Sequence, residues 1–299
     1  LKRIKPDAIQ TWMYHADLIG GIVGRLTGCN NIVWGVYCTK FNFRDTKLST
    51  IIIIFINSFL SRFIPKKIIF CSKDGLNIHR KYGFSKNKLI YIPNGLPYET
   101  FTINTKSNVE LKRQFNFDES SIILGIVGRY SPMKDHLNFI MALERLSIET
   151  QNFNAIFIGE NLDNHNKTLV HQLKKYNIES KVKLLGARND VPKLLNLIDL
   201  NVLSSSFGEG QPTVLCESML CGTPCITTDT GDSALIVGDY GWVVAPNNPQ
   251  ELCNHILKAI EVRQNEVEWN KRVFAGREYI VSRFTLEAMA ESYKSVWRQ

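Results

Sequence analysis

The sequence predicts an α/β protein with two domains, each built on a parallel sheet. Three observations support this prediction: short β-branched runs alternate with helical segments, the chain has 299 residues, and a turn-rich break interrupts the alternation. Alternating strands and helices form parallel sheets with helices on their faces, and this length can hold two ordinary domains. The break begins at residues 92–97, I-P-N-G-L-P, and polar residues follow to about residue 108. We therefore predict domains over residues 1–108 and 109–281, and a C-terminal helix over 282–299 that packs back on the first domain.

In the first part of the chain, four β-branched runs are predicted as strands. They lie at 7–11, 31–37, 67–71 and 88–92. Helical segments are expected between them, at about 15–27, 46–64 and 72–82. Ser72 is a suitable N-cap for the last of these helices, and Gly83 is a suitable residue to end it.

The alternation resumes after the break. Further strands are predicted at 121–127, 153–158, 182–185, 199–203, 224–227 and 241–244, with helices between them. Between residues 285 and 298, apolar side chains recur at helical spacing, at Leu286, Met289, Tyr293, Val296 and Trp297. This spacing predicts a final amphipathic helix.

The segment most informative about function covers residues 204–228 and reads S-S-S-F-G-E-G-Q-P-T-V-L-C-E-S-M-L-C-G-T-P-C-I-T-T. Pro212 suits the first turn of a helix, and Gly222 suits the left-handed residue just past its end. Glu209 is therefore predicted in a glycine-flanked loop, and Glu217 in the second turn of a short helix. Two carboxylates can accept hydrogen bonds from paired hydroxyls, as on a sugar or a ribose. The alternative interpretation is an ordinary helix start with one solvated glutamate.

A second cluster follows the strand predicted at 121–127 and reads G-R-Y-S-P-M-K-D-H over residues 128–136. In doubly wound sheets, ligands bind at the carboxyl ends of strands, where helix N-termini offer free amides. Arg129 could bind a diphosphate there through its bidentate fork, and Lys134 as a point charge. Both could equally be solvated cations, and the glycines of a P-loop are missing. Two cations together with two carboxylates, however, are what a nucleotide-diphosphate sugar requires.

Composition and charge narrow the function classes. Residues 1–100 hold 15 Lys and Arg against 5 Asp and Glu, whereas residues 101–299 hold 21 against 23. The basic residues are spread over many elements and no nucleic-acid-binding signature accompanies them, so a nucleic-acid partner is not expected. The seven cysteines, an odd number, indicate no disulfide framework, and neither they nor the six histidines have metal-ligand spacing. We therefore expect small buried cysteines in a reducing cytoplasm and no metal site.

The most apolar stretch, residues 48–64, contains I-I-I-I-F-I but is interrupted by Asn57, Ser58, Ser61 and Arg62. It is shorter than the roughly 20 apolar residues needed to cross a bilayer. The first interpretation is a buried helix. The second is a helix that lies at a membrane surface, beside basic residues.

These motifs resemble the GT-B-fold, retaining glycosyltransferases of family 4, the "group 1" transferases of bacterial polysaccharide, lipopolysaccharide and glycolipid synthesis. The resemblance covers nearly the whole chain. The strongest matches are G-R-Y-S-P-M-K-D-H (128–136), L-G-A-R-N-D-V (185–191) and S-S-S-F-G-E-G-Q-P…E (204–217). I-P-N-G (92–95) and S-K-D-G…Y-G-F (72–84) also match. The resemblance implies two Rossmann-like, doubly wound domains that face a cleft.

The resemblance also implies roles for individual residues. Arg129 and Lys134, after Gly128, would bind the donor diphosphate and stabilise the charge of the leaving group. The other implied contacts are Glu209 and the amides of Gly210 and Gln211 to the transferred sugar, Glu217 to the ribose hydroxyls, Arg188 and Asn189 beside the base, and His15 near the donor sugar. An ordinary residue at a helix start is the alternative for His15.

The implied reaction is a metal-independent hexosyl transfer with retention, in which the donor, expected to be UDP-linked, is a co-substrate and no cofactor is needed. The acceptor would be a glycan or a lipid-linked glycan. The protein is expected in the cytoplasm, with peripheral association at the inner face of the membrane.

The chain departs from this family at two places. Relatives begin with a strand, a glycine-rich loop and a helix for which this chain has no equivalent, so we expect an N-terminally incomplete first domain; whether the chain is a fragment or a shortened form, and whether it turns over alone, stay open. Leu96-Pro97 stand where an aspartate usually follows I-P-N-G, and only local effects are expected. The alternative functions are a non-catalytic nucleotide-sugar-binding remnant and a GT-B-fold sugar-nucleotide epimerase.

Overall fold

The computed structural model describes residues 1–37, 47–106 and 108–298. Cys38 and residue 299 lie outside these ranges. So does residue 46, where a helix was predicted to begin. The chain divides into two compact units. The first contains Leu1–Gly95, Gly208–Gln211 and Leu286–Gln299, and the second contains Leu96–Phe207 and Pro212–Thr285. The domain bounds predicted at 108 and 281 stay a prediction.

Strands and helices alternate through both units. Within the described ranges, the strands β1–β10 are Ile9–Trp12, Ile32–Val36, Lys67–Phe70, Leu89–Tyr91, Ile122–Val127, Phe153–Ile158, Val182–Gly186, Leu200–Leu203, Cys225–Thr228 and Trp242–Val244. In the same ranges, the helices α1–α12 are Tyr14–Leu26, Leu48–Leu60, Lys73–Lys81, Asn108–Gln114, His136–Glu149, Lys167–Lys175, Val191–Leu197, Thr213–Leu220, Ser233–Val237, Pro249–Gln264, Glu266–Val281 and Leu286–Trp297. The predicted strands are all present, and their ends differ from the prediction by at most two residues.

Each unit has one parallel sheet. The sheet of the first unit has the order β1-β2-β3-β4, and that of the second has the order β10-β9-β8-β5-β6-β7. All strand pairs in both sheets are parallel. This confirms the predicted α/β class with two Rossmann-like domains, because the second order is that of a dinucleotide-binding sheet.

The core of the second unit lies on both faces of its sheet. Along β5, Leu124 and Ile126 pack into one apolar cluster with α5, α6 and α10, whereas Ile123 packs into another with α4 and α7. Alternate side chains of a strand point to opposite faces, so a strand buried on both sides needs a nearly continuous apolar run. Helices on both faces make this unit doubly wound.

Helix α2 corrects one expectation. Ile51 and Ile54 are buried, but Ile52, Phe55 and Phe59 on the opposite face are at least half exposed. The interpretation of this stretch as a buried helix is therefore wrong for one of its faces. None of the helices in the described ranges is both long and apolar enough to cross a bilayer.

Candidate active site

The candidate site of the second unit forms where its sheet changes direction. Strands β5 and β8 are neighbours at the centre of the sheet, and the chain proceeds from β5 toward β7 on one side and from β8 toward β10 on the other. The loops that follow the carboxyl ends of these two strands therefore lead the chain toward opposite edges of the sheet. Ligands of open α/β sheets bind in the crevice at such a switch point. The two motifs singled out in the sequence are these two loops.

Main-chain hydrogen bonds connect the loop after β5 to the next strand. The amide of Gly128 donates to the carbonyl of Ile158 (2.9 Å), and the amide of Tyr130 donates to that of Glu160 (2.8 Å). A Cβ atom at Gly159 would collide with the backbone of Gly128, so glycine is required for this close approach. The loop that carries Arg129 is thus held against β6, and the Arg129 side chain is exposed.

Lys134 lies next to Gly128. A Cβ atom on Gly128 would come within 3.3 Å of Lys134 Cε and 3.9 Å of its Nζ. Ser204, at the end of β8, donates its hydroxyl to the carbonyl oxygens of Lys134 (2.9 Å) and Asp135 (3.0 Å). The amide of Ser206 donates to the carbonyl of Met133 (2.9 Å). These bonds join the loops after β5 and β8, so the segment that carries Lys134 is positioned by both.

Helix α5 starts at His136, two residues after this lysine. Asp135 has the left-handed conformation (φ 45°, ψ 57°), which aspartate tolerates better than most residues, and its carboxylate accepts a hydrogen bond from the Asn138 amide. Burial, together with the smaller effect of the nearby charge of Lys134, lowers the pKa of His136 to about 4. His136 is therefore neutral at neutral pH, and the positive charge of this loop comes from Arg129 and Lys134.

Glu217 extends from the second turn of α8, as predicted. The helix begins at Thr213, directly after Pro212, and Gly222 has a φ of 80° just past its end. Burial raises the pKa of the Glu217 carboxyl, and a hydrogen bond from the Thr213 side chain partly opposes this shift. The side chain is partly exposed, so its carboxylate can meet a polar ligand.

Arg188 and Asn189 are exposed on the loop after β7. Arg188 forms a two-point ion pair with Asp190, with Nε–Oδ1 and Nη2–Oδ2 distances of 2.8 Å and 2.7 Å. This pair raises the pKa of Arg188 and lowers that of Asp190. The guanidinium that was predicted to border the base thus has a carboxylate partner that the sequence interpretation overlooked.

Glu209, Gly210 and Gln211 are assigned to the first unit. Glu209 and Gln211 are buried. The Gln211 side chain bonds both main-chain groups of Asn94: its Nε2 donates to the carbonyl (3.0 Å), and its Oε1 accepts from the amide (2.5 Å). The Gln211 side chain therefore anchors this segment to the I-P-N-G turn, and its backbone amide remains the group predicted to contact a sugar.

His15 is exposed in the first turn of α1. The residue before the helix, Met13, has φ 73° and ψ 154°, a strained conformation for a residue with a side chain. Tyr14 is buried, and its hydroxyl donates to Nε2 of His79 (2.7 Å), whose Nδ1 donates to the carbonyl of Gly75 (2.7 Å). Burial lowers the pKa of His79 to about 4, which keeps the ring neutral for this arrangement. The backbone that carries His15 is therefore firmly held.

The profile of the family described as "Glycosyl transferases group 1" matches residues 107–274. The chain belongs to this family. The matched range includes every predicted site residue except His15, and it lies in the second unit of this group 1 transferase apart from Gly208–Gln211.

Three proteins show how the group 1 transferase relates to known ones. It is 24% identical over 269 residues to the UDP-Gal:alpha-D-GlcNAc-diphosphoundecaprenol alpha-1,3-galactosyltransferase of Escherichia coli, covering 87% of this chain and 68% of that protein. It is 24% identical over 193 residues to the N-acetyl-alpha-D-glucosaminyl L-malate synthase of Bacillus anthracis, covering 63% of this chain and 48% of that protein. The structure of Anabaena Alr3699/HepE in complex with UDP superposes with a TM-score of 0.84 at 21% identity, covering 98% of this chain and 80% of that one.

Sequence reasoning about the group 1 transferase overlooked several contacts of the site. Ser204 was part of the quoted motif, but its hydroxyl bonds to the neighbouring loop depend on the adjacency of β5 and β8, which is a tertiary feature. Asp190 stands two residues after Arg188, and that spacing alone could have suggested the ion pair. The bond between Gln211 and Asn94 joins residues 117 positions apart and has no local signal.

Proposed function

We propose that this chain is a retaining glycosyltransferase of family 4 that transfers a hexosyl group from a UDP-linked sugar to a glycan or a lipid-linked glycan. The names of its relatives support this choice. The Escherichia coli relative uses UDP-Gal and a diphosphoundecaprenol-linked GlcNAc, and the Anabaena structure holds UDP. The first of these proteins is similar to this chain in sequence and the second in fold. The experiments below test the activity in this chain.

The observation that carries the proposal is the position of Lys134 in the second unit. Its side chain lies against Gly128, and its main chain is bonded to the loop after β8, at the switch point of a group 1 domain. An ammonium fixed beside a glycine leaves space for a phosphate to approach the backbone. Because His136 is neutral, Arg129 and Lys134 supply the positive charge that a diphosphate needs.

In the proposed reaction, the bond between C1 of the sugar and the β-phosphate oxygen breaks while the acceptor oxygen bonds to C1 on the same face. The acceptor proton passes to the departing diphosphate. Arg129 and Lys134 stabilise the negative charge that develops on this leaving group, and their effect is strongest in a site from which water is excluded. We propose that no metal ion takes part.

The remaining roles concern binding and orientation. Glu217 would accept hydrogen bonds from the ribose hydroxyls, and Glu209 with the amides of Gly210 and Gln211 would hold the transferred sugar. Arg188 and Asn189 would border the base, and His15 would approach the donor sugar. We further propose that the enzyme acts in the cytoplasm, peripherally at the inner face of a membrane that carries its acceptor.

Donor recognition is tested by titrating UDP into the 299-residue chain in a calorimeter. We expect binding, and we expect Lys134→Ala to weaken it by at least about tenfold through the loss of a charge-assisted contact. Lys174→Ala is the matched control, since Lys174 is an exposed lysine of α6 in the same unit. Equal affinity of the Lys134 variant and the parent would remove the proposed diphosphate role.

Turnover separates transfer from the two alternatives. With UDP-galactose and a diphosphate-linked GlcNAc acceptor, NMR of the product should show the anomeric configuration of the donor. Inversion would refute the retaining mechanism. UDP binding without consumption of any tested donor would favour a binding remnant, and release of an epimerised sugar nucleotide in the absence of acceptor would favour an epimerase.

A further inference from the structure

The outer face of α2 is an exposed apolar ridge. Its members recur at helical spacing, continue into the turn that follows the helix, and are between 40% and 72% exposed; they are Leu48, Ile52, Phe55, Ile56, Phe59 and Phe63. The rings of Phe59 and Phe63 lie 5.7 Å apart. A contiguous apolar surface of this kind is unusual on a protein that contacts only water, and it marks an interaction site. We call these six residues the apolar ridge.

Three polar residues of the same segment point inward. Asn57 Nδ2 donates to the carbonyl of Tyr14 (2.7 Å), Ser58 Oγ donates to that of Tyr82 (2.7 Å), and Ser61 Oγ accepts from the amide of Ser85 (2.9 Å). The inward face of α2 thus combines hydrogen-bonding side chains with Ile51 and Ile54, and its outward face has isoleucine and phenylalanine where a surface helix usually has polar residues. Rotating the helix to hide its ridge would break these three bonds, so they fix which face of α2 turns outward.

Helix α1 widens the apolar surface. It packs beside α2 and has four aliphatic side chains that are at least 40% exposed, namely Ile19, Ile22, Val23 and Leu26. Arg25 of the same helix joins the two segments, since its guanidinium donates to the carbonyls of Phe63 (3.0 Å) and Ile64 (2.8 Å). The exposed aliphatic side chains of α1 therefore lie on a helix adjacent to the apolar ridge.

Basic side chains lie beside this surface. Lys47 and Arg62 are exposed at the two ends of α2. Lys88 Nζ donates to the carbonyl of Arg62 (2.7 Å), and both burial and the charge of Arg25 lower its pKa. Residues 18–37 and 47–73 contain neither Asp nor Glu. The charged side chains within these two ranges are therefore all basic.

We propose that the apolar ridge is a membrane-docking surface that inserts into the interface of an anionic phospholipid bilayer. A helix lying in the plane of the interface buries its apolar face about 5–10 Å deep, and anionic headgroups attract neighbouring Lys and Arg. The basic side chains beside the ridge select this occupant over a second copy of the chain, because two copies meeting through the ridge would bring like charges together. The inference specifies the surface for the proposed membrane association and does not depend on which sugar is transferred.

Vesicle co-sedimentation of the 299-residue chain tests this docking. The probes are phosphatidylcholine vesicles and vesicles of phosphatidylcholine mixed with phosphatidylglycerol. We expect binding to the mixed vesicles that declines as salt rises, and much weaker binding to phosphatidylcholine alone. Equal binding to both vesicle types, or binding to neither, would overturn the proposal.

Substitutions locate the surface. The triple variant Phe55→Ser, Phe59→Ser, Phe63→Ser should reduce partitioning into the mixed vesicles by at least about tenfold, because three aromatic side chains no longer insert. The matched control, Ile148→Ser, Val267→Ser, Phe274→Ser, removes three side chains of the second unit that are at least 57% exposed, and it should bind vesicles like the parent. If both triple variants lose binding equally, or the ridge variant keeps it, the ridge is not the docking surface.

Charge is tested separately with Lys47→Glu, Arg62→Glu. This pair should reduce binding to the mixed vesicles by about tenfold or more, whereas Lys167→Glu, Lys174→Glu on α6 should have little effect.

Sedimentation velocity of the parent and the ridge variant tests for a second copy of the chain as the competing occupant. If the parent forms a dimer that the ridge variant does not form, and the parent does not bind vesicles, the ridge serves self-association instead. UDP affinity serves as the folding control, so a failure of docking is distinguishable from a failure of donor binding.

Discussion

Helices α2 and α8 both follow a strand in a parallel sheet, but they expose different kinds of side chain. Helix α8 buries Leu215, Met219 and Leu220 and leaves Glu217 partly exposed, as a surface helix normally does. Helix α2 buries Asn57 and exposes Phe59. The comparison teaches that the two helices leave different groups at the surface. Helix α8 leaves a carboxylate that can accept hydrogen bonds, whereas α2 leaves aromatic and aliphatic side chains.

The largest effect expected from this comparison is the loss of stability in Leu215→Ala. Leu215 is fully buried in the cluster around α8, so the variant should lower the free energy of unfolding by about 2–5 kcal/mol. Phe59→Ala removes a larger side chain but one that is 60% exposed, and it should change that free energy by less than about 0.5 kcal/mol. Urea unfolding followed by circular dichroism measures both values. A loss in Phe59→Ala that matches Leu215→Ala would contradict the exposed position of the ridge.

A buried carboxyl of the first unit provides the next test. Burial raises the pKa of Asp17 to about 7, although hydrogen bonds from Thr11 and the Gly35 backbone oppose the shift. A carboxyl with a raised folded-state pKa stabilises the fold fully below its unfolded pKa, and that contribution is lost as the pH rises through the folded pKa. The loss should reach at most on the order of 4 kcal/mol.

Asp17→Asn should therefore gain stability relative to the parent as the pH rises from about 4 to about 7, and the difference should level off above this range. Urea unfolding at a series of pH values gives this difference directly. A difference that stays constant across the whole range would show that burial does not perturb this carboxyl.

A smaller loss is expected when the inward-facing polar side chain of α2 is removed. Asn57→Ala leaves the carbonyl of Tyr14 without the donor that now bonds it, which should lower the free energy of unfolding by about 1–3 kcal/mol. Asn77→Ala, at an exposed position of α3, is the control and should have little effect. Equal melting temperatures for the two variants would mean that the bond between Asn57 and the Tyr14 carbonyl does not stabilise the fold.

The smallest effect belongs to an exposed polar pair of the second unit. Arg188→Ala breaks the ion pair with Asp190, but both side chains are more than one third exposed, so solvent screens the interaction. We expect a change in unfolding free energy of less than about 0.5 kcal/mol, measured as before. A loss comparable to that of Asn57→Ala would place this pair among the structural contacts of the fold rather than at a surface available to a ligand.

Most of the fold could be predicted from the sequence, because local patterns encode it. β-branched runs predicted the strands, Ser72 caps α3 as expected, and Gly222 ends α8 in the left-handed conformation that glycine allows. The burial of α2 could not be predicted in the same way. Nearly every residue of I-I-I-I-F-I is apolar, so the run has no periodicity to indicate which face turns inward.

The candidate site likewise has features that local sequence predicts and features that it does not. Loop chemistry and spacing were enough to place Lys134 on the loop after β5 and Glu217 on a helix, where the structure has them. The hydroxyl of Ser204 on the Lys134 segment, the neutral His136, and the anchoring of Gln211 by Asn94 were not predictable, since each depends on residues distant in sequence or on burial.

The sequence alone determined the α/β class, the loops that carry the charged residues and, through their motifs, the resemblance to group 1 transferases, because secondary structure and short motifs depend on residues close in the chain. Only the tertiary structure decided that β5 and β8 are adjacent, which brings two loops about 70 residues apart to one switch point. It also decided that three polar side chains of the α2 segment turn inward, because the carbonyl and amide groups that bond them lie on other elements of the unit.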